Sequence, residues 1–160
     1  MRILFLGDIV GRSARQLVLE SLNGLREELA ADFIIVNVEN SAGGFGVTPQ
    51  IADDVLAAGA DVLTTGNHVW DKRELINYIM QQPKLLRPYN MVEATPGNGY
   101  VIVTNDKGQR LAVANFMCNL FMAENDNVFQ GLDAFFAKVR LVRDADAIFI
   151  DIHGEATSEK

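Results

Sequence analysis

Four separate stretches of the chain carry side chains able to hold a cation or move a proton. Glu39 and Asn40 stand together in VENSAGGFG (38–46), directly after an apolar run and ahead of a Gly-rich loop. Asp8 lies in GDIVGR (7–12), Asn67 and His68 in TTGNHVWD (64–71), and His153 in DIHGEATSEK (151–160). Carboxylate, carboxamide oxygen and imidazole nitrogen with no thiolate make a borderline-to-hard donor set. Such a set suits manganese, iron(II) or zinc and not copper(I) or an iron–sulfur cluster. Glu39, with two oxygens, could bridge two ions. Singly, each residue has a structural explanation: Asp8 can cap a turn, Asn67 can follow Gly66 in a left-handed position, and a lone His is commonly a surface or satisfied core residue. Jointly, chance is the less economical account, and metal binding explains them together.

The elements that must position these residues alternate between strand and helix signals. RILFLG (2–7) is an apolar run of strand length, and Ser13 to Ala30 then places Val18, Leu22, Leu25 and Leu29 on one helical stripe, with Ser13 and Gln16 as a capping box. FIIVNV (33–38) predicts a second buried strand. Thr48 as N-cap and Pro49 at the first helical position open a helix through Ile51 and Val55 that closes at Gly59. DVLTT (61–65) predicts a third strand, and Asp71 with Glu74 a second capping box, for a helix through Leu75, Ile76 and Ile79 that Pro83 stops. GYVIVTNDKGQRLAVANF (99–116) predicts an antiparallel hairpin around Asn-Asp-Lys-Gly. Val128, Leu132, Phe135, Phe136 and Val139 predict a helix over 128–142, and AIFID (147–151) a last buried strand. The fold class is therefore mixed α/β. Each candidate residue falls at the carboxyl end of a strand, where side chains from separate strands of an open α/β sheet converge on a ligand crevice.

Composition bounds the rest. A chain of 160 residues, with 49% hydrophobic and 22% charged residues, no repeat and no linker, predicts one domain over 1–160. Its formal charge of −7 disfavours DNA or RNA held on a basic face. The single cysteine, Cys118, rules out an internal disulfide and points to a reducing compartment, with a small buried hydrophobe as its role. The N-terminal apolar run, soon interrupted by Asp8, is too short for a signal segment or membrane span, so the expectation is a cytoplasmic protein with no membrane partner.

The four blocks resemble the successive signature blocks of the calcineurin-like metallophosphoesterases over the whole chain. They are most similar to the bacterial YmdB-type branch, the 2′,3′-cyclic-nucleotide 2′-phosphodiesterases. That resemblance implies a sandwich of two mixed β-sheets flanked by helices. It also implies two divalent cations, iron or manganese first and zinc next. Asp8, Glu39 and Asn40 would serve the first, Glu39 would bridge, Asn67 and His153 would serve the second, and His68 would donate a proton. The family continues to a Gly-Thr-His-Thr-His block, whereas this chain stops at Lys160, where Thr157 and Ser158 look like the cap of a helix about to begin. The expectation is a fragment or shortened homologue, incomplete at the C-terminus, that self-associates through uncovered apolar surface.

Two cations ~3.5–4 Å apart would act as Lewis acids on phosphoryl oxygens and give a metal-bound hydroxide as nucleophile. An imidazole suits protonation of the departing ribose oxygen. The expected substrate is a small phosphodiester such as a 2′,3′-cyclic nucleotide, with an RNA terminus as another. Arg12 at a helix start, and Gly43 and Gly44 in a loop able to approach closely, are the substrate-binding candidates. Phe45 and Trp70 could stack on a base, but packing is the expected role of both. Asn115 and Asn119 flank Cys118 near the hairpin's end with no role that spacing decides. The rival reading is a catalytically weakened nucleotide-sensing module that keeps the phosphate-binding loops. A Rossmann-type dinucleotide site is disfavoured, because GDIVGR lacks the Gly-x-Gly-x-x-Gly spacing.

Overall fold

Short Ile- and Val-rich runs separated by amphipathic stretches fold as the periodicities direct, in a computed structural model that describes residues 1–122 and 125–159. The order is β1 (Ile3–Leu6), α1 (Gly11–Glu28), β2 (Phe33–Asn37), α2 (Pro49–Ala57), β3 (Val62–Thr64), α3 (Leu75–Ile79), β4 (Tyr100–Thr104), β5 (Arg110–Met117), α4 (Val128–Lys138) and β6 (Ala147–His153), followed by a 3-10 turn over Thr157–Glu159.

The strands form two three-stranded sheets, β1-β2-β3 and β4-β5-β6. In the first, β2 pairs in parallel with both neighbours, with Ile35 opposite Phe5 and Val62. In the second, β4 is antiparallel to β5, and β5 is parallel to β6 through Met117 opposite His153. All five residues of β2 are buried because both of its faces are covered. Ile34 and Val36 pack with Leu22, Val55 and Leu75 under the helices, while Phe33 and Ile35 meet Leu111 and Val113 of the second sheet. The far face of that sheet, Ala112, Ala114 and Phe116, packs on Phe135 and Val139 from α4 and its C-cap. Two sheets flanked by helices are thus present as expected, with antiparallel pairing confined to the second sheet among the described residues.

Local expectations fare unevenly. The Thr48 cap forms, its Oγ1 accepting from Ile51 N at 3.3 Å ahead of Pro49. The Ser13 and Gln16 capping box does not: Gly11 N–H donates to Asn40 O at 3.0 Å, so the helix starts two residues earlier and Ser13 lies inside it. Asp71 does not cap α3 either, because its carboxylate is committed to His68. The fourth helix stops at Lys138, since Val139 turns extended. At its other end Asn127 caps Phe129 and Gln130, a signal the periodicity passed over. The last strand runs two residues past Asp151, so His153 is its final residue and not the one after it.

Phe135 anchors the outer layer, with Tyr100 at 5.6 Å, Tyr89 at 6.0 Å and Phe116 at 6.2 Å between ring centroids. Phe135→Ala is expected to cost about 3–5 kcal/mol in chemical denaturation. A loss below about 1 kcal/mol would contradict the layered packing.

Candidate metal centre

The strands deliver their carboxyl ends to one place through a polar clasp between the sheets. Asp151 of β6 accepts at Oδ2 from Thr64 Oγ1 (2.6 Å) and from Asn37 Nδ2 (3.1 Å), the ends of β3 and β2. Asn37 Oδ1 in turn accepts from Glu39 N at 3.1 Å, which sets the backbone of the first candidate ligand. Asn115, fully buried on β5, donates to Thr65 O at 2.9 Å and Leu86 O at 3.4 Å. Its role is to tie the sheets together. Sequence reasoning missed Asn37 and Asp151; the available signal was a polar residue closing each of two apolar runs, FIIVN and AIFID. Asn119 sits outside this clasp, its backbone N–H donating to Glu159 Oε1 at 3.1 Å.

Around Glu39 the structure brings together four of the five candidate ligands, Asp8, Glu39, Asn40 and His153. The Glu39 side chain is 1% exposed, with His153 Nδ1 at 3.2 Å from Oε1. Asn40 Nδ2 donates to Glu39 Oε1 at 3.2 Å and to Asp8 Oδ2 at 2.8 Å, so one amide joins two carboxylates. Asp8 follows β1, where Ile9 N–H donates to Asn37 O at 3.1 Å. From β3, Gly66 fits only because it has no side chain: a Cβ there would overlap Glu39 Oε2 and lie 2.7 Å from His153 Cγ. Asn67 follows it directly. Asp8, Glu39, Asn40 and His153 line a cleft of about 350 Å³, together with Asp151 and Glu155. Asn67 and His68 are not part of that lining, and connect to it through Gly66.

The centre is short of positive charge. Burial, then the nearby charges of Asp8, Asp151 and Glu155, push the Glu39 carboxyl up to about 8, against the lowering effect of the Asn40 hydrogen bond. Glu39 Oε2, Asn40 Oδ1 and Asn67 Oδ1 are buried with no hydrogen-bond donor. Buried acceptors are ordinarily satisfied, and oxygen lone pairs left over around an acidic cleft are what a hard or borderline cation takes up. Among the described residues no three His, Cys, Asp or Glu side chains by themselves close on one point. The donor set includes carboxamides, and it fits a divalent cation on the strength of its orphaned oxygens.

His68 Nδ1 lies 2.7 Å from Asp71 Oδ2. A carboxylate only accepts, so Nδ1 carries the hydrogen and Nε2 points elsewhere as the second functional atom. Phe45 meets the His68 ring edge-on at 5.0 Å between centroids. The structure places Arg12 exposed in the first turn of α1, and Gly43 and Gly44 at φ of +79° and +104°, in the left-handed region that favours glycine. Arg15, overlooked in the sequence, holds their loop by donating from Nη1 to Ser41 O at 2.6 Å. Trp70 packs against the core as expected, whereas Phe45, at 59% exposure, does not. Cys118 is buried. No helix among the described residues is long and apolar enough to cross a membrane.

The raised Glu39 group makes stability depend on pH in a defined direction. Between the ordinary 4.5 and about 8 the folded chain keeps a proton that the unfolded chain has lost, so stability falls as pH rises through that window. The carboxylates held low, Asp32, Asp144 and Asp146, act only at more acid pH. Thermal melts of the cation-free chain are therefore expected to show a midpoint declining from about pH 5 to about pH 8. Manganese should reverse the decline, and Glu39→Gln should flatten it. A midpoint indifferent to pH and to manganese would refute the charge deficit.

Comparison with known proteins bears on the family and the fold. The family description "YmdB-like protein" matches residues 4–160. The chain is 42% identical over 160 residues to a 2′,3′-cyclic-nucleotide 2′-phosphodiesterase of Bacillus subtilis strain 168, covering all of this chain and 60% of that protein. A crystal structure of a hypothetical protein from Thermus thermophilus superposes with a TM-score of 0.89 and 32% identity, over 100% of this chain and 60% of the other. A phosphatase structure from Mycoplasma pneumoniae gives 0.84 and 28%, over 98% of this chain and 56% of the other. The chain spans about 60% of the length of the Bacillus protein it matches. With the match running from residue 4 to the last residue, the chain belongs to the YmdB-like protein family.

Proposed function

We propose that this chain carries the cation-binding face of a metal-dependent phosphodiesterase acting on small phosphodiesters such as 2′,3′-cyclic nucleotides. The observation that carries this reading is the buried Glu39 carboxyl among orphaned acceptor oxygens, at the junction of strand ends from both sheets. Asp8, Glu39 and Asn40 would hold one cation and Asn67 and His153 a second, with Glu39 shared; iron or manganese suits these donors best and zinc next. Divalent cations bound there would supply Lewis acidity toward phosphoryl oxygens.

The chain's own groups do the rest. Asp71 orients the His68 ring by accepting from Nδ1, so that in the imidazolium form Nε2–H would deliver its proton to the departing ribose oxygen and leave the neutral ring. The loop backbone at Gly43 and Gly44, steadied by Arg15, would let the phosphate approach closely, and Arg12, exposed in the first turn of α1, would offer it a cation. The acidic surroundings that raise Glu39 also discourage anions, so bound cations and phosphate binding go together. The Bacillus relative's name supports the same substrate class for this chain.

The reading is checked with the chain and manganese or iron(II) on 2′,3′-cyclic AMP. His68→Ala is expected to lower kcat by about 10²–10⁴-fold, and Asp71→Asn by roughly tenfold with KM little changed, since it acts through the orientation of His68. Asp8→Ala should abolish turnover and lower the metal content measured by elemental analysis. Tight nucleotide binding by the wild-type chain without any hydrolysis would overturn the enzyme reading in favour of a sensing module.

A further inference from the structure

One side chain of the Gly-rich loop is unaccounted for by cation binding or proton transfer. Phe45 is 59% exposed, although burial of so large an apolar ring is favourable. Its presentation is built in: Gly43, Gly44 and Gly46 around it have φ of +79°, +104° and +75°, values that strain any residue with a Cβ. The loop is also tied down, with Gly44 N–H donating to Asn40 O at 3.1 Å and Ala42 N–H to Gly46 O at 2.9 Å. The ring is thus offered outward by an anchored turn and is not a frayed end. Through Gly44 and Asn40 it connects to the donors of Asp8 and Glu39, and across space its ring stands 5.0 Å from that of His68.

Resting on the phosphodiesterase reading above, we propose that Phe45 is a specificity-determining residue whose exposed ring stacks on the nucleobase of a ribose-linked phosphodiester. A base is one sugar ring away from a 2′,3′-phosphate, so an ester whose phosphate lies in the cleft and whose ribose oxygen faces His68 carries its base to the neighbourhood of this loop. Trp70, the other aromatic of these blocks, is partly buried against the core and offers less free ring face than Phe45. Stacking needs only a π face, which every base has. Recognition by Phe45 is therefore tolerant of base identity, and stronger for the larger purine rings than for pyrimidines.

The test compares 2′,3′-cyclic AMP with glycerol 1,2-cyclic phosphate, a base-free ester, on the manganese-loaded chain and on Phe45→Ala, Phe45→Leu and Phe45→Tyr. The ratio of kcat/KM between the two esters is expected to fall about tenfold in the Ala and Leu variants, chiefly through KM, and to stay within about twofold in the Tyr variant. Leu keeps an apolar contact beside His68 and removes only the aromatic face, which separates stacking from packing. Calorimetric titration with adenosine 3′-monophosphate and with inorganic phosphate repeats the comparison without turnover, with the same tenfold loss of the nucleotide's advantage expected in Phe45→Leu. A wild-type chain with no preference for the base, or a preference that survives Phe45→Leu, overturns the assignment and leaves the phosphodiesterase reading standing. A chain that hydrolyses neither ester and binds no phosphate overturns that reading and this assignment with it.

Discussion

A carboxyl group buried beside an acid-lined cleft is the constraint around which this molecule is organised. Glu39 has 1% of its side chain in contact with solvent and three acidic neighbours, Asp8, Asp151 and Glu155, acting on it. Desolvation and like-charge repulsion both disfavour its ionised form, and a structure persists with such a group only if its surroundings hold it in place. The surroundings do so through its chain neighbours Asn37 and Asn40 and through His153, which comes from the other end of the chain. The glycine at position 66 belongs to the same constraint, since any side chain there would occupy the space of the Glu39 carboxyl.

The two-sheet architecture is the means by which those distant points meet. Parallel strands deliver Asp8, Glu39 and Asn67 to one end of the first sheet, because every strand of that sheet runs the same way. His153 comes from β6, which runs parallel to β5 and ends against Met117. The sheets stack through Phe33, Ile35, Leu111 and Val113, which supplies adhesion but no register between them. Directional bonds from Asp151 and Asn115 to the ends of β2 and β3 supply that register. Apolar stacking is tolerant of sliding, whereas a hydroxyl 2.6 Å from a carboxylate is not.

Much of this was legible in the chain, and the parts that were not share a cause. Strand and helix periods placed β1, β2 and β3 and the hairpin, and residues near the strand ends then supplied five ligand candidates, four of which line one cleft, because where a strand ends is a local property. The capping boxes at Ser13 and Asp71 failed for a non-local reason. A backbone carbonyl from Asn40 starts α1, and His68 claims the Asp71 carboxylate. The roles of Asp151 and Asn115 were undecided likewise, since a polar residue on an apolar strand marks a position while its partner comes only with the opposing sheet. Phe45 was read as packing from its type alone, and only the left-handed turns on either side of it explain why it stands outside.

The charge distribution orders the events that any phosphate chemistry here would follow. The cleft gathers Asp8, Glu39, Asp151 and Glu155 on a chain whose formal charge is already −7. On its own charge this surface repels a phosphodiester. Arg12 does not line the cleft, and the guanidinium of Arg15 is spent on Ser41 O. The same acidity would favour divalent cations, and the orphaned oxygens of Glu39, Asn40 and Asn67 are acceptors that the proposed cations would take up. Under the function proposed above, affinity for phosphate would be conditional on cation occupancy, and a single buried carboxyl would link the stability of the cation-free chain to its readiness for a substrate.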